Sequence, residues 1–309
     1  MIIHEGYENL NLVSPVATLG IFDGVHLGHR ALLDRVVLKA KEEKSESVVI
    51  TFSPHPRLVL EKNNINLSFL TTTEEKIVLL AKANVDHLIM IKFTPEFSNI
   101  PACDFLKDIL VGKIGTKYLV IGHDHRFGRR GEGDFNTIRH CAKDLDFTVE
   151  QVEGYHTEDG MISSSLIRGA LLNGNIEEAN NWLGYPYAIT GKIIEGRKLG
   201  RKIGFPTANI KPSSEHKLIP ANGVYAVEVQ LDNKKMQGML SIGTNPTVNA
   251  DVNFRSIEVN ILNFDEEIYG RNITVIFRKK LRDEKKFRNL DELAQQMGRD
   301  KQETLGFLT

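Results

Sequence analysis

The chain has 309 residues, 41% hydrophobic and 26% charged, which is long and apolar enough for two ordinary domains and argues against disorder. Its 39 Lys and Arg balance 40 Asp and Glu to a net charge of -1, so the simplest electrostatic case for a nucleic-acid or membrane-surface protein is excluded. The two cysteines, Cys103 and Cys141, suggest neither a disulfide framework nor a thiolate zinc cage and are expected as buried, reduced thiols. The start Met1-Ile2-Ile3-His4-Glu5-Gly6 has no basic segment followed by an apolar run, and no apolar stretch reaches membrane-spanning length. The expectation is a cytoplasmic protein.

In chain order, Val16 to Phe22, Ser47 to Phe52, His87 to Ile91, Lys117 to Ile121 and Phe147 to Val152 read as strands. Helical stripes lie between them: Leu32, Leu33, Val36, Val37 and Ala40, then Ile77, Leu80 and Ala81, then Phe105, Leu106, Ile109 and Leu110. This alternation predicts a parallel sheet covered on both faces. Two short helices follow, one with Leu166, Ile167, Ala170 and Leu171, the other with Ile176, Ala179 and Leu183. Gly184-Tyr185-Pro186 then stops the helical pattern and places a domain boundary, giving domains 1–184 and 185–309.

Gly20-Ile21-Phe22-Asp23-Gly24-Val25-His26-Leu27-Gly28-His29 follows the first strand and opens the first helix. Helix amino termini present unpaired N–H groups and a positive dipole end, and Gly28 permits close approach of a phosphate. Imidazoles at His26 and His29 would stabilise charge that builds on the α-phosphate and the leaving pyrophosphate of a nucleotide. Two such histidines can also simply cap the helix; the strand, glycine and helix around them favour the phosphate reading.

These residues resemble the nucleotidyltransferase superfamily, whose HxGH element binds ATP, and the string GIFDGVHLGH looks like its FAD synthetase branch. The resemblance continues in Thr51-Phe52-Ser53-Pro54-His55-Pro56, Gly122-His123-Asp124-His125-Arg126-Phe127-Gly128 and Ile162-Ser163-Ser164-Ser165-Leu166-Ile167-Arg168, all at strand ends or helix starts. It implies a Rossmann-like sheet in which Gly20, Phe22, Asp23, Gly24, His26, Gly28, His29, Ser163, Ser164 and Arg168 bind ATP. It further implies that His55 and Asp124 bind the flavin. By themselves, Ser163 and Ser164 are good helix caps and Asp124 is a common turn residue. His125 stands where the family usually has Phe.

Beyond the boundary, Tyr187 to Ile194, Gly223 to Leu231, Met236 to Ile242, Arg255 to Leu262 and Ile273 to Leu281 read as strands, whose spacing predicts an antiparallel β-barrel. A last helix carries Leu290, Leu293, Ala294 and Met297 on one face. The stretch from Gly196 to Asn209, GRKLGRKIGFPTAN, is rich in glycine and cations but lacks P-loop spacing, so alone it reads equally as a solvated hairpin. In the run Ile257-Glu258-Val259-Asn260-Ile261, alternation sends Glu258 and Asn260 to the face opposite the three aliphatics.

This half resembles the riboflavin kinase family, whose glycine loop covers ATP and whose PTAN threonine and asparagine help hold magnesium. By position, Gly196, Gly200, Gly204, Pro206, Thr207 and Asn209 would bind ATP, and Thr207 and Asn209 the Mg²⁺. Pro220-Ala221-Asn222-Gly223-Val224-Tyr225, Gly243-Thr244-Asn245-Pro246-Thr247, Phe264, Tyr269-Gly270 and Lys285-Lys286-Phe287 continue the pattern. Glu258 would then accept the proton of the riboflavin 5′-hydroxyl as it attacks the γ-phosphate. Asn260 stands where the family typically has His, and Asn263 where many bacterial members have Asp.

The whole implies a bifunctional riboflavin kinase and FMN adenylyltransferase that makes FMN, then FAD, from riboflavin and ATP, with small molecules rather than nucleic acid or membrane as partners. The departures at Asn260, Asn263 and His125 leave one alternative, a flavin- or nucleotide-binding regulator with a decayed kinase site. An RNA-linked HxGH enzyme is opposed by the neutral charge and the lack of a basic aromatic face. The oligomeric state is not legible.

Overall fold

The computed structural model describes residues 1–61, 67–143, 145–158, 160–196, 200–244 and 255–308. Arg197, Lys198 and Leu199 of the glycine-rich stretch and Asn245, Pro246 and Thr247 of a matched block lie outside the described residues. Two compact units form, Met1–Ser164 and Ser165–Thr309.

The first unit runs through β1 (Ile2–Glu5), β2 (Val16–Leu19), α1 (Leu27–Glu42), β3 (Ser47–Ser53), α2 (Pro56–Leu60), α3 (Thr73–Ala81) and β4 (His87–Lys92). It continues with a helical turn α4 (Ala102–Asp104) leading into a π-helix over Phe105–Val111, then β5 (Tyr118–Gly122), α5 (Phe135–Cys141), β6 (Thr148–Val152) and the two-residue strands β7 (His156–Thr157) and β8 (Gly160–Met161). Six strands pair in parallel in the order β1-β4-β3-β2-β5-β6. Successive residues of the central strands enter opposite cores, as strand geometry requires. Ala17, Val48, Ile89 and Leu119 pack with the π-helix and α5, while Val16, Val49, Leu88 and Val120 pack with α1 and α3.

The predicted parallel sheet covered on both faces is therefore present. Edge strand β1 was not expected, because Ile2 and Ile3 are exposed and carry no burial pattern. The expected third helix is a π-helix whose Phe105, Leu106, Ile109 and Leu110 are all buried; the stripe marks a buried face but does not distinguish the two windings. Cys103 and Cys141 form a disulfide with Cα atoms 5.5 Å apart, which corrects the expectation of reduced thiols. Their separation of 38 residues is bridged because both flanking helices pack on one face of the sheet.

The second unit takes most of α6 (Ser164–Asn173) and α7 (Ile176–Leu183), then β9 (Ala188–Ile194), β10 (Ala208–Pro212), β11 (Gly223–Leu231), β12 (Lys234–Thr244), β13 (Arg255–Ile261), β14 (Asn272–Arg282) and α8 (Leu290–Leu308). The strands close an antiparallel barrel in the order β10-β13-β12-β11-β14-β9, with α8 packed on β11 and β12. Tyr225, Leu240 and Val259 are in register across three strands and fully buried, so they mark the barrel interior.

The compact units divide twenty residues before the boundary read at Gly184. Gly184 does end α7 in a left-handed conformation, φ 77°. However, Asn180 Nδ2 donates to Phe277 O at 3.0 Å and its Oδ1 accepts from Tyr187 N at 2.7 Å, tying α7 to the barrel.

Candidate active sites

In the sheet of the first unit, the chain runs β2, β3, β4 to one side and then crosses to place β5 on the other side of β2. The carboxyl ends of β2 and β5 therefore open on a topological switch point, where α/β sheets receive ligands. The turn after β2 is strained: buried Phe22 and Val25 have φ of 52° and 38°, beside Gly24 at 82°. Asp23 holds it, its buried carboxylate accepting from Leu70 N at 3.2 Å and from Thr71 N at 3.1 Å, while Gly24 N donates to Thr71 Oγ1. Asp23 is expected from the sequence to contact ATP; here its carboxylate engages the Thr71 segment and shapes the turn. Ser164 Oγ donates to Asp23 O at 2.9 Å, bringing the start of α6 to the same place.

His26 caps α1, its Nδ1 accepting from His29 N at a long 3.4 Å. The neutral ring then carries its proton on Nε2, so capping and phosphate binding are compatible in one side chain. The two rings stack with centroids 3.7 Å apart, and Phe22 meets His29 edge-on. Burial lowers the His26 pKa to about 4, against an opposing pull from Asp124. Burial holds His29 well below the usual histidine range, with His26 and Lys76 adding to the effect. At neutral pH both rings are thus N–H donors rather than fixed charges. A Cβ at Gly28 would sit 3.2 Å from the His26 ring and 3.7 Å from Ile162 O, so the helix start is open only because this residue is glycine.

His55 caps α2 and stacks on Phe69 at 4.0 Å, next to the Leu70–Thr71 segment that holds Asp23. Asp124 is exposed in the turn after β5. Ser163 immediately precedes α6, and Arg168 lies one turn along it, donating to Ser165 Oγ at 3.1 Å. His125 stacks on Phe127, its Nε2 buried without a hydrogen-bond partner among the described residues; burial holds its pKa near 4. Sequence reading missed Lys76, which is 8% exposed on α3 and whose ammonium is pulled down in pKa by burial, with Asp23 opposing. Its only signal is spacing, one turn before the buried Leu80 on the apolar stripe.

In the barrel, Glu258 and Asn260 lie on the outer face of β13 and Ile257, Val259 and Ile261 are buried, as alternation predicts. Thr207, just before β10, donates from Oγ1 to Glu258 Oε2 at 3.1 Å, and Asn209 is the cross-strand partner of Glu258. A Cβ at Gly196 would collide with the Asn209 amide, and one at Gly200 with the Phe205 carbonyl oxygen, so both positions lie against this segment and require glycine. Gly204 has φ 79°. Pro206 and Thr207 also line a cavity of about 170 Å³ with Arg201, Phe264 and Tyr269. Asn263, φ 55°, turns the chain after β13, a conformation that Asn tolerates. The Thr207 hydroxyl and Asn209 amide, neutral oxygens beside a carboxylate, would suit Mg²⁺ whose other ligands are phosphates and water.

Residues 10–166 match the family model for FAD synthetase and residues 183–308 that for riboflavin kinase. The fold and the two family models together define a two-part flavin-nucleotide transferase, with a parallel α/β nucleotidyltransferase unit ahead of a barrel kinase. Proteins described as bifunctional riboflavin kinase/FMN adenylyltransferase are similar along the whole chain: 39% identical in Listeria monocytogenes (96% of this chain, 93% of that one), 39% in Escherichia coli K12 (96% and 94%) and 36% in Bacillus subtilis (95% and 92%). The chain belongs to the bifunctional riboflavin kinase/FMN adenylyltransferase family. A solved structure described as a macrolide-efflux protein from Streptococcus pneumoniae shares 31% identity and a TM-score of 0.89 over 98% of both chains. Among the residues described here, no helix is long and apolar enough to cross a membrane.

Proposed function

We propose that Glu258 of the barrel and His26 with His29 of the α/β unit carry the two ATP-dependent steps of this bifunctional transferase. The enzyme phosphorylates riboflavin to FMN, then adenylylates FMN to FAD with release of pyrophosphate. The observation that supports the assignment is local geometry in each compact unit, Thr207 donating to Glu258 in one and the His26 and His29 rings stacked at the start of α1 in the other.

In the kinase step, the riboflavin 5′-hydroxyl attacks the γ-phosphorus and Glu258 accepts its proton. The Thr207 hydroxyl orients the carboxylate, and Gly196, Gly200 and Gly204 leave room beside it for the nucleotide. Thr207 and Asn209 would hold Mg²⁺, which when bound offsets phosphate charge. In the adenylyl step, a phosphate oxygen of FMN attacks the α-phosphorus. The α1 amino terminus and the N–H groups of His26 and His29 stabilise the charge that develops there and on pyrophosphate. Ser163 and Ser164 grip the remaining phosphates, while His55 and Asp124 receive the flavin. Reliance on ATP in both steps supports a cytoplasmic setting. A regulator with a decayed kinase site is not favoured, since both halves match catalytic families and the Thr207–Glu258 pair is formed.

Pure protein incubated with riboflavin, ATP and Mg²⁺ should yield FMN and FAD on chromatography. Glu258→Gln should lower FMN formation by about 100-fold or more yet still convert added FMN to FAD. His29→Ala should lose FAD formation by about 100-fold while making FMN. Equal loss of both activities in both folded variants would overturn the two-site assignment.

A further inference from the structure

Asn260 is 5% exposed, on the same outer face of β13 as Glu258 and two residues beyond it. Its Nδ2 donates to Pro206 O at 2.7 Å. That carbonyl belongs to the peptide plane whose other end is the Thr207 nitrogen and α-carbon, so holding the oxygen fixes the direction in which Thr207 leaves the backbone. Thr207 Oγ1 in turn donates to Glu258 Oε2 at 3.1 Å. One strand face thus grips the Pro206–Thr207 segment at two points, a main-chain oxygen and a side-chain hydroxyl. Upstream, Phe205 N donates to Gly200 O at 2.9 Å, closing the turn that delivers this segment.

We infer that Asn260 is a positioning residue of the phosphoryl-transfer site, acting through Pro206 to hold Thr207 against Glu258. The inference rests on the assignment of Glu258 and Thr207 to that site. The donor amide is buried and the bond is short, so the restraint is a stiff one even though Pro206 itself is exposed. The family's usual histidine would place a titratable ring here; the amide donates at every pH.

The test uses the full chain. Asn260→Leu removes the donor, Asn260→Asp keeps the shape without the N–H₂, and Asn260→His restores a ring N–H. In Asn260→Leu and Asn260→Asp at pH 8, kcat for FMN formation should fall by about 10- to 100-fold, with KM for riboflavin changed less than about threefold. Conversion of added FMN to FAD on the same chain should stay within twofold of the parent. Asn260→His should recover most of the lost kcat. The inference is overturned if Asn260→Asp keeps parental kcat, if the loss appears in KM alone, if the histidine variant is no better than leucine, or if FAD formation and thermal stability fall in parallel with FMN formation. Should Asn260→Leu not fold, the near-isosteric Asp and His variants decide. Glu258→Gln separates the two layers: if it retains FMN formation the site assignment fails, whereas if it loses activity and the Asn260 variants do not, only this inference fails.

Discussion

His26 uses one ring nitrogen on the α1 cap and, in the proposed site, offers the other to the nucleotide, a division of labour that a ring held neutral by burial permits. The folded pKa of about 4 lies below the ordinary 6.5, so between these values the unfolded chain binds the extra proton. Stability from this residue is therefore fully present above about pH 6.5 and is lost as pH falls toward 4, by about 3 kcal/mol. Urea unfolding of the parent and of His26→Asn, which keeps a capping side chain, should show a flatter pH dependence in the variant. Identical slopes would mean that this ring is not the linked group. Period-two alternation made the facing of Glu258 legible as a carboxylate between buried aliphatics, while its role came from the family resemblance. Lys76 was not, because a lysine on a helix reads as solvated until the neighbouring segments bury it.

At the scale of elements, the turn from Gly200 to Phe205 depends on a missing side chain. A Cβ at Gly200 would strike the Phe205 carbonyl oxygen, whereas Phe205 N donates to Gly200 O. Gly200→Ala should therefore displace Pro206 and Thr207 and lower FMN formation by about tenfold or more, leaving adenylylation of added FMN intact. A variant with parental kinase rate would show that the turn relaxes without consequence. Long strands such as β11 were readable to the residue, since an apolar run that starts at Gly223 passes into the alternation of Val227, Glu228, Val229, Gln230 and Leu231. Strand β10 was not, because five residues ending in Pro212 and beginning inside a motif carry too little pattern. Helix α5 escaped for a similar reason: only Ile138 and Cys141 of its seven residues are buried.

For the whole molecule, the position of α6 and α7 decides what a separable barrel is. A chain of residues 165–309 should phosphorylate riboflavin and make no FAD. Residues 185–309 lose Asn180 and the buried face of Ile176, Ala179, Trp182 and Leu183. Their melting temperature should be lower by at least about 5 °C. Equal melting of the two fragments would place the helices outside the barrel's cooperative unit. The amino-acid order alone determined the class of each half, because periodicity and motif spacing are local properties, while the candidate site residues came from the family resemblance. Three matters were decided by tertiary structure only: the pairing of Cys103 with Cys141, the turning of Asp23 toward Thr71, and the hold of Asn260 on Pro206. Each joins residues from 38 to 54 positions apart, and contact at that range is set by how the elements pack, a quantity that no local pattern carries.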